Sequence, residues 1–492
     1  MEVKPGTCLD EKADMIWESN SGAYGKCFVL KIGDKFQVLK KYFNSSGQKI
    51  EKVFEEMEGF QIPLAPKYFD TSVKHPGEPF DWVLMDYIPG VTLERLLRDH
   101  KRIRLLYIIE IITALNLQLK KMGKKGIKHR DLKPGNIVID ANFIPHILDW
   151  DDMTTRISMT QSPYHGTIRF AAPEIFEMKR ECASDIFSFG SIIFNMLTGK
   201  APFDDVYNNL DGIFQFIPKE YHVEEVDEQE DDEDEQEDDE NKQKDKEKKL
   251  KRLIQKTKRG VNYYLKRNEE LEDLISEHPN KGHLALNIFN TYNDDTKASM
   301  HLYVMNLAEQ HTKEKIRQQI EEYRSLDETT QKILSMKIDL DQCYGELIRN
   351  NIEPILIELI KIGVRDEDLI YDKEFLEHEH DKALANIISN CWKQEPKDRW
   401  TPKQIQKEID NIVQYLTDTE KKKYEDYCAK IYDLEQKEYG TVEMINKARE
   451  KGFYYCDYTL GDIIYYLDNS FDFDRITLDK FYDFINTRTV AC

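Results

Sequence analysis

The chain has no C-x-x-C pair. Its eight cysteines (Cys8, Cys27, Cys182, Cys343, Cys391, Cys428, Cys456 and Cys492) are scattered, with no adjoining histidine pattern. Neither a metal nor a disulfide framework is expected from such spacing. Long apolar runs are also missing. The opening residues, MEVKPGTCLDEKADM, lack the apolar core a signal peptide needs, and the most apolar helical stretch, Leu105 to Leu119, is interrupted by Glu110 and too short to span a bilayer. The expectation is an intracellular protein, cytoplasmic or nuclear, with no membrane partner. Net positive charge is missing too. The formal net charge is -22, and 14 Asp or Glu fall in the 17 positions from Glu224 to Glu240, so the acidity is largely local. Nucleic acid and anionic membrane would not be attracted to such a surface. At 492 residues the chain exceeds one ordinary core, which implies two lobes plus additions.

What is present is concentrated in Lys128 to Asp151, KHRDLKPGNIVIDANFIPHILDWD. His129, Arg130, Asp131, Lys133, Asn136 and Asp149 sit between apolar runs. Ile137 to Ile139 and Ile144 to Leu148 read as two short buried strands joined by a turn at Asp140, Ala141 and Asn142, which places a carboxylate on each side of one cleft. The run HRDLKPGN resembles the catalytic loop of the eukaryotic protein kinases. By that resemblance Asp131 accepts the substrate hydroxyl proton, Asn136 holds magnesium, and Lys133, as in serine/threonine kinases, neutralises charge on the transferred phosphoryl group. Asp149 opens D-W-D where the family has D-F-G. It is the second magnesium ligand of the pattern, and Trp150 can fill the apolar slot of the phenylalanine. Asp151 departs from the family: glycine would permit a backbone flip, whereas aspartate restricts it and brings a negative charge near the metal.

Upstream, Gly22 and Gly25 allow main-chain N–H groups to approach a phosphate, with Asn20 where the family's G-x-G-x-x-G has its first glycine; taken alone, the segment reads as a plain hairpin. Alternation along Phe36, Val38 and Lys40 puts them on one face of a strand. Lys40 thus resembles the strand lysine that grips the nucleotide phosphates. The helix after it, from about Gln48 to Phe60, offers Glu51, Glu55, Glu56 and Glu58 as its partner. Glu56 is chosen because Met57 and Phe60 then follow it as apolar residues do in the family, although gapless matching back from Tyr68 puts Val53 there. Trp82 to Leu93 reads as a buried strand and a Pro-Gly turn, which by itself is an edge of the core. In the kinase pattern Met85 guards the adenine pocket, and the main chain at Asp86 and Ile88 bonds the adenine edge.

Leu105, Ile108, Ile112, Leu115 and Leu119 recur at helical spacing and predict a supporting amphipathic helix that buries that face. GTIRFAAPE resembles the G-T-x-x-Y-x-A-P-E segment of protein kinases. By resemblance Thr167 contacts Asp131 and Lys133, Glu174 pairs with a distant arginine, and Asp185 braces the catalytic loop. Arg399, in CWKQEPKDRW, is the expected partner of Glu174, although it comes 196 positions after Phe203. The hydroxyl residues between Asp149 and Glu174 read as solvated loop; phosphorylation there, bound by Arg130, would order the loop.

The expected organisation is an N-terminal extension (1–11), a kinase domain (12–416; small lobe 12–88, large lobe 89–416) and a helical C-terminal region (417–492). Within the large lobe lies an insertion (218–350). Its first part, 224–260, acidic and then holding 10 Lys or Arg in the 18 positions from Lys242 to Arg259, is expected to be disordered, and 261–350 helical. The acidic run reads as solvated; the alternative is that it docks a basic partner. The tail segment with Asp468, Ser470, Asp472 and Asp474 resembles an EF-hand, but Phe471, Phe473 and Lys480 stand where ligands belong, so calcium is not expected.

The resemblance implies an α+β, bilobal kinase fold, with a small antiparallel sheet lobe and a mainly helical large lobe, a helical insertion and a helical C-terminal tail. The implied function is transfer of phosphate from ATP to Ser/Thr of protein substrates, with Mg2+, or Mn2+ in its place. Asp131, Lys133, Lys40 and Glu56 are the catalytic set. Gly22, Gly25, Lys40, Met85, Asp86 and Ile88 bind the nucleotide, and Asn136 and Asp149 hold the metal. His129, Arg130, Thr167, Glu174, Asp185 and Arg399 support them. A pseudokinase scaffold and a small-molecule kinase are the rival readings. The first is motivated by Asn20, Asp151 and the long insertion, the second by D-W-D and opposed by Ala172-Pro173-Glu174.

Overall fold

In the computed structural model, residues 13–18, 25–32, 35–42, 64–71, 81–88, 90–98, 103–140, 143–153, 167–176, 183–218, 221, 239–292, 294–304, 314–364 and 378–434 are described. Alternating apolar residues near the start of the chain build an antiparallel sheet. Its strands are β1 (Ala13–Glu18), β2 (Gly25–Ile32), β3 (Lys35–Tyr42), β4 (Tyr68–Thr71) and β5 (Trp82–Asp86), in the order β1-β2-β3-β5-β4. Phe28, Leu30, Leu39, Trp82 and Leu84 form one apolar cluster, as the period of two along β2, β3 and β5 dictates. Lys40, between buried Leu39 and Lys41, pairs with Cys27 on one side and Val83 on the other, so it stands on a central strand.

The second sheet is small: β6 (Gly90–Thr92), β7 (Ile137–Asp140) and β8 (Pro145–Ile147), again antiparallel. Around it lie α1 (Leu93–Arg98), α2 (Leu105–Lys125), α3 (Pro173–Phe176) and α4 (Ser184–Thr198). The expected α+β arrangement, a small sheet lobe and a mainly helical remainder, is thus the one the chain adopts. Helix α2 stops at Gly126, whose left-handed φ of 71° lets its N–H return to the carbonyl of Gly123. Its burial goes beyond the one stripe the spacing predicts. Ile109, Ile111 and Ala114 are also fully covered, because helices from the far end of the chain pack on the other side.

A second compact unit, Phe203–Val364, interrupts the first, which comprises Met1–Pro202 and Arg365–Cys492. It contains α5 (Asp204–Asn208), α6 (Asp239–Glu277), α7 (Pro279–Thr291), α8 (Asp294–Val304), α9 (Glu314–Ser325), α10 (Glu328–Leu347) and α11 (Glu353–Lys361). The basic stretch 242–259, expected to be disordered, lies within α6. The correction has a plain physical cause. Leu250, Ile254, Thr257 and Val261 recur at three- and four-residue spacing and are buried, so the helix covers an apolar stripe despite its charge. Phe289, Met300, Leu334 and Ile338 belong to a core of this unit's own. Asp327 caps α10 by accepting from the N–H groups of Thr329 and Thr330.

The chain returns to the first unit with α12 (Glu379–Cys391), α13 (Pro402–Val413) and α14 (Asp418–Leu434). Helix α14 lies beyond 416 yet is part of the same core. Tyr427 donates to the carbonyl of Phe143 at 3.0 Å, and Tyr424 shares a 2.9 Å hydrogen bond with Thr113. Helices α4 and α12 pack so closely that a Cβ on Gly190 would lie 2.6 Å from Cys391 Cβ and 3.2 Å from the Trp392 ring. Gly190→Ala is therefore expected to cost about 1–3 kcal/mol through overpacking, read as a lower urea midpoint. Among the described residues no helix is long and apolar enough to cross a membrane. The Asn20 and Gly22 turn, the Glu56 helix, the 154–166 loop, the acidic positions 224–238 and the EF-hand-like segment lie outside the described residues.

Candidate active site

Antiparallel pairing brings the start of β7 beside the end of β8. Ile137 faces Ile147, and Leu148 N–H donates to the carbonyl of Asn136 at 2.8 Å. Asn136 and Asp149, 13 positions apart in sequence, therefore flank one point. Asp131 lies one 3-10 turn upstream, Pro134–Asn136. Asn136 Nδ2 donates to both the carbonyl oxygen and Oδ2 of Asp131, at 2.8 and 2.9 Å, which leaves Asn136 Oδ1 as the atom that could meet a cation. Lys133 Nζ stands 2.9 Å from Asp131 Oδ2 and donates to Thr167 Oγ1 at 2.8 Å. Thr167 N–H donates to Asp131 Oδ1 at 3.0 Å. Both carboxylate oxygens of Asp131 are thus oriented by named donors.

The loop's backbone is held from below. Asp185, buried on α4, accepts from the N–H groups of His129 (2.8 Å) and Arg130 (2.9 Å) with its two oxygens. These bonds pin Arg130 at a φ of 72°, a left-handed conformation that a long side chain adopts only when the surroundings impose it. The His129 ring is fully buried, bonds the carbonyl of Leu148 at 2.8 Å and meets Trp150 edge-on at 4.7 Å. Trp150 is also fully buried, and its Nε1 donates to the carbonyl of Ile147 at 2.9 Å. The D-W-D segment is a 3-10 turn, Trp150–Asp152, entered through Asp149 at a left-handed φ of 59°, which aspartate tolerates better than most residues.

Lys40 meets this segment. Its Nζ donates to Asp149 Oδ1 at 2.5 Å and to Asp151 Oδ2 at 2.7 Å. Burial alone would lower the lysine's pKa, but the charges of Asp151 and Asp149 outweigh it and hold the ammonium well above its ordinary value. The two carboxylates diverge. Burial acts to raise Asp149, yet Lys40 with help from His129 and Lys133 brings it below the usual range. Asp151 is pushed up, by burial first and by the charge of Asp149 as well. Exposure differs accordingly: the side chain of Asp149 is 41% exposed, that of Asp151 15%. Tyr42, two positions from Lys40 on β3, donates to Asp151 Oδ1 at 2.8 Å. Cys27, opposite Lys40 on β2, has its thiol pushed up to about 11 by burial, with Asp149 and Asp151 adding to the effect and Lys40 opposing it.

Glu174 and Arg399 meet in a two-pronged ion pair at 2.6 and 2.7 Å, both side chains buried. The guanidinium also donates to the carbonyls of Lys393, Ala183 and Gln394. Gly25 opens β2, where a Cβ would collide with the carbonyl oxygen of Lys41; the close approach of a neighbouring strand requires this glycine. Met85 and Ile88 are buried. Asp86 N–H is engaged with the carbonyl of Lys67, and its carboxylate accepts from Lys67 N–H, each at 2.9 Å. Gly22 and Glu56 lie outside the described residues. Sequence reading missed Tyr42 and the pairing of Asp151 with Lys40. Tyr42 carried a signal, because it continues the alternation of Phe36, Val38 and Lys40; Asp151 carried none that specified a partner.

Comparison with known proteins adds a family and relatives. The family described as "Protein kinase domain" matches residues 21–277. A probable serine/threonine-protein kinase of Clostridium acetobutylicum is 30% identical over 128 residues, 25% of this chain and 20% of the relative. The serine/threonine-protein kinase PknB of Mycolicibacterium smegmatis is 30% identical over 149 residues, 29% of this chain and 24% of the relative. The receptor kinase-like protein Xa21 of Oryza sativa subsp. japonica is 26% identical over 230 residues, 41% of this chain and 22% of the relative. In each case the chain spans less than a quarter of the relative's own length.

Proposed function

We propose, from the premise that this chain belongs to the protein kinase family, that it transfers the γ-phosphoryl group of ATP to serine and threonine hydroxyls of protein substrates. The observation that carries the reading is the convergence of Lys133, Asn136 and Thr167 on the carboxylate of Asp131. A carboxylate so oriented can accept the proton of an incoming hydroxyl, and Lys133 stands where it would offset charge on the transferred group. The names of two relatives, one a serine/threonine-protein kinase and the other a probable one, favour this reading over a small-molecule kinase.

Lys40 would hold the nucleotide phosphates, with Gly22 and Gly25 proposed as their main-chain contacts. The base would lie against Met85 and Ile88, with the main-chain contact at Asp86 falling to its carbonyl. Mg2+ fits the donor set, since it takes one or two protein oxygens together with substrate phosphates, and Asn136 Oδ1 and the exposed carboxylate of Asp149 supply these. Bound there, it would neutralise charge on the phosphate oxygens. Catalysis is then positioning and charge stabilisation, without a covalent intermediate on the protein.

The test is transfer. The full chain, given labelled ATP, Mg2+ and generic protein substrates, is expected to label serine and threonine, read by phosphoamino acid analysis. ATP binding without transfer would leave a scaffold, and labelling of small metabolites in place of protein would leave a small-molecule kinase.

A further inference from the structure

Lys40, Tyr42 and Asp151 are joined by hydrogen bonds. Lys40 and Tyr42 project from the same face of β3 and each takes one oxygen of Asp151, at 2.7 and 2.8 Å. Asp151 is fixed at its other end as well. Its 3-10 turn is closed by the N–H of Met153 on the carbonyl of Trp150, and the buried Trp150 ring is tied to the carbonyl of Ile147. Asp149 shares the same ammonium but is the more exposed of the two carboxylates, and it is the one the proposed chemistry assigns to the cation.

We infer that Asp151 is a positioning residue for Lys40: pinned by Tyr42 and by the Trp150 turn, it holds the ammonium at the phosphate site from the metal-binding segment itself. The inference rests on the kinase reading of the cleft. A lysine has a long flexible stem, and ordering it costs conformational entropy unless a fixed partner has already done so. Asp149 cannot be that fixed partner if it turns to a cation when nucleotide binds. Asp151 has both oxygens committed to β3 and keeps its hold. The residue that departs from the family's glycine thereby gains a structural reason, because a glycine at 151 would leave Tyr42 without its acceptor and Lys40 with one carboxylate in place of two.

The experiment is calorimetric titration of ATP and of adenosine into the full chain and into Asp151→Asn, Asp151→Gly and Tyr42→Phe, each with Mg2+ and again with EDTA. Asp151→Asn preserves the side chain's size, so the cleft keeps its shape. The expected result is an ATP Kd raised about tenfold in both Asp151 variants, which lose the charge-assisted bond to Lys40, and about threefold in Tyr42→Phe, which loosens Asp151 but leaves that bond in place. The loss is largest with Mg2+, where Asp149 turns to the cation, and smaller with EDTA, where Asp149 still holds Lys40; adenosine binding is unchanged because Lys40 meets only phosphates. Unchanged or tighter ATP binding by the Asp151 variants overturns the inference. So does an equal loss for adenosine, which would mean general damage to the cleft, and so does a Mg2+-dependent loss that persists when Asp151→Asn is combined with Lys40→Ala, which would make Asp151 a metal ligand. If the wild type binds ATP but labels no protein, the proposed function falls while these binding results stand; a wild type that binds no ATP overturns both.

Discussion

Asp131→Asn is expected to lower kcat for protein phosphorylation by about a thousandfold while changing the ATP Kd by less than about threefold. The carboxylate of Asp131 receives only donors: Thr167 N–H on Oδ1, and Asn136 Nδ2 with Lys133 Nζ on Oδ2. An asparagine has one carbonyl oxygen and one NH2 group, so whichever way it turns, one of these donors faces another donor. Its neutral oxygen also cannot take up the proton that the substrate hydroxyl must lose. ATP binding should survive, because Lys40 and Asp149 contact each other across the cleft without involving Asp131. Steady-state turnover against generic protein, with ATP affinity measured separately, checks both halves. A drop in kcat smaller than about tenfold would mean that Asp131 orients the substrate without accepting its proton.

The largest expected effect on stability belongs to Glu174 and Arg399. Arg399 has a side chain with no exposed surface, and five hydrogen bonds run from it to Glu174, Lys393, Ala183 and Gln394. Removing Glu174 leaves a buried guanidinium without its counter-charge, and Glu174→Ala is expected to cost about 3–5 kcal/mol. Arg399→Ala should cost a similar amount, since it strands the carboxylate and three carbonyl groups. Arg399→Lys should recover only part of the loss, because a single ammonium cannot reproduce the fork that reaches both oxygens. Urea unfolding of the full chain measures each. A loss below about 1 kcal/mol in Glu174→Ala would show that water enters and solvates the arginine.

Much of the sheet and of the central hairpin was legible in the chain. Period-two alternation marked β3, and the apolar runs about Asp140 marked β7 and β8, because a strand's side chains must alternate or be buried on both faces. Stripe spacing found α2 but underestimated it: Ile109 and Ile111 look like an excess of apolar residues, yet both are fully buried, on a helix against which α13 and α14 pack. Charge misled the reading of 242–259, where lysine density hid Leu250, Ile254 and Val261 at helical spacing. A charged helix is stable when one narrow face is covered, and composition averages over faces.

By itself, the sequence determined which chemical groups the chain could bring to a cleft. The run from Lys128 to Asp151, with Lys40, Thr167, Glu174, Asp185 and Arg399, specifies carboxylates, amide and cations by type and by short-range spacing. Spacing along a strand or a turn is local, so it can be read directly. Only the tertiary structure decided which of these groups touch. The Arg399 and Glu174 pair spans 225 positions, and the Lys40 and Asp151 pair spans 111. Contacts at that range depend on how sheets and helices pack, which no local pattern encodes. Asp151 shows the difference most clearly: in the sequence it is a charge where glycine was expected, and in the fold it is a fixed partner of Lys40.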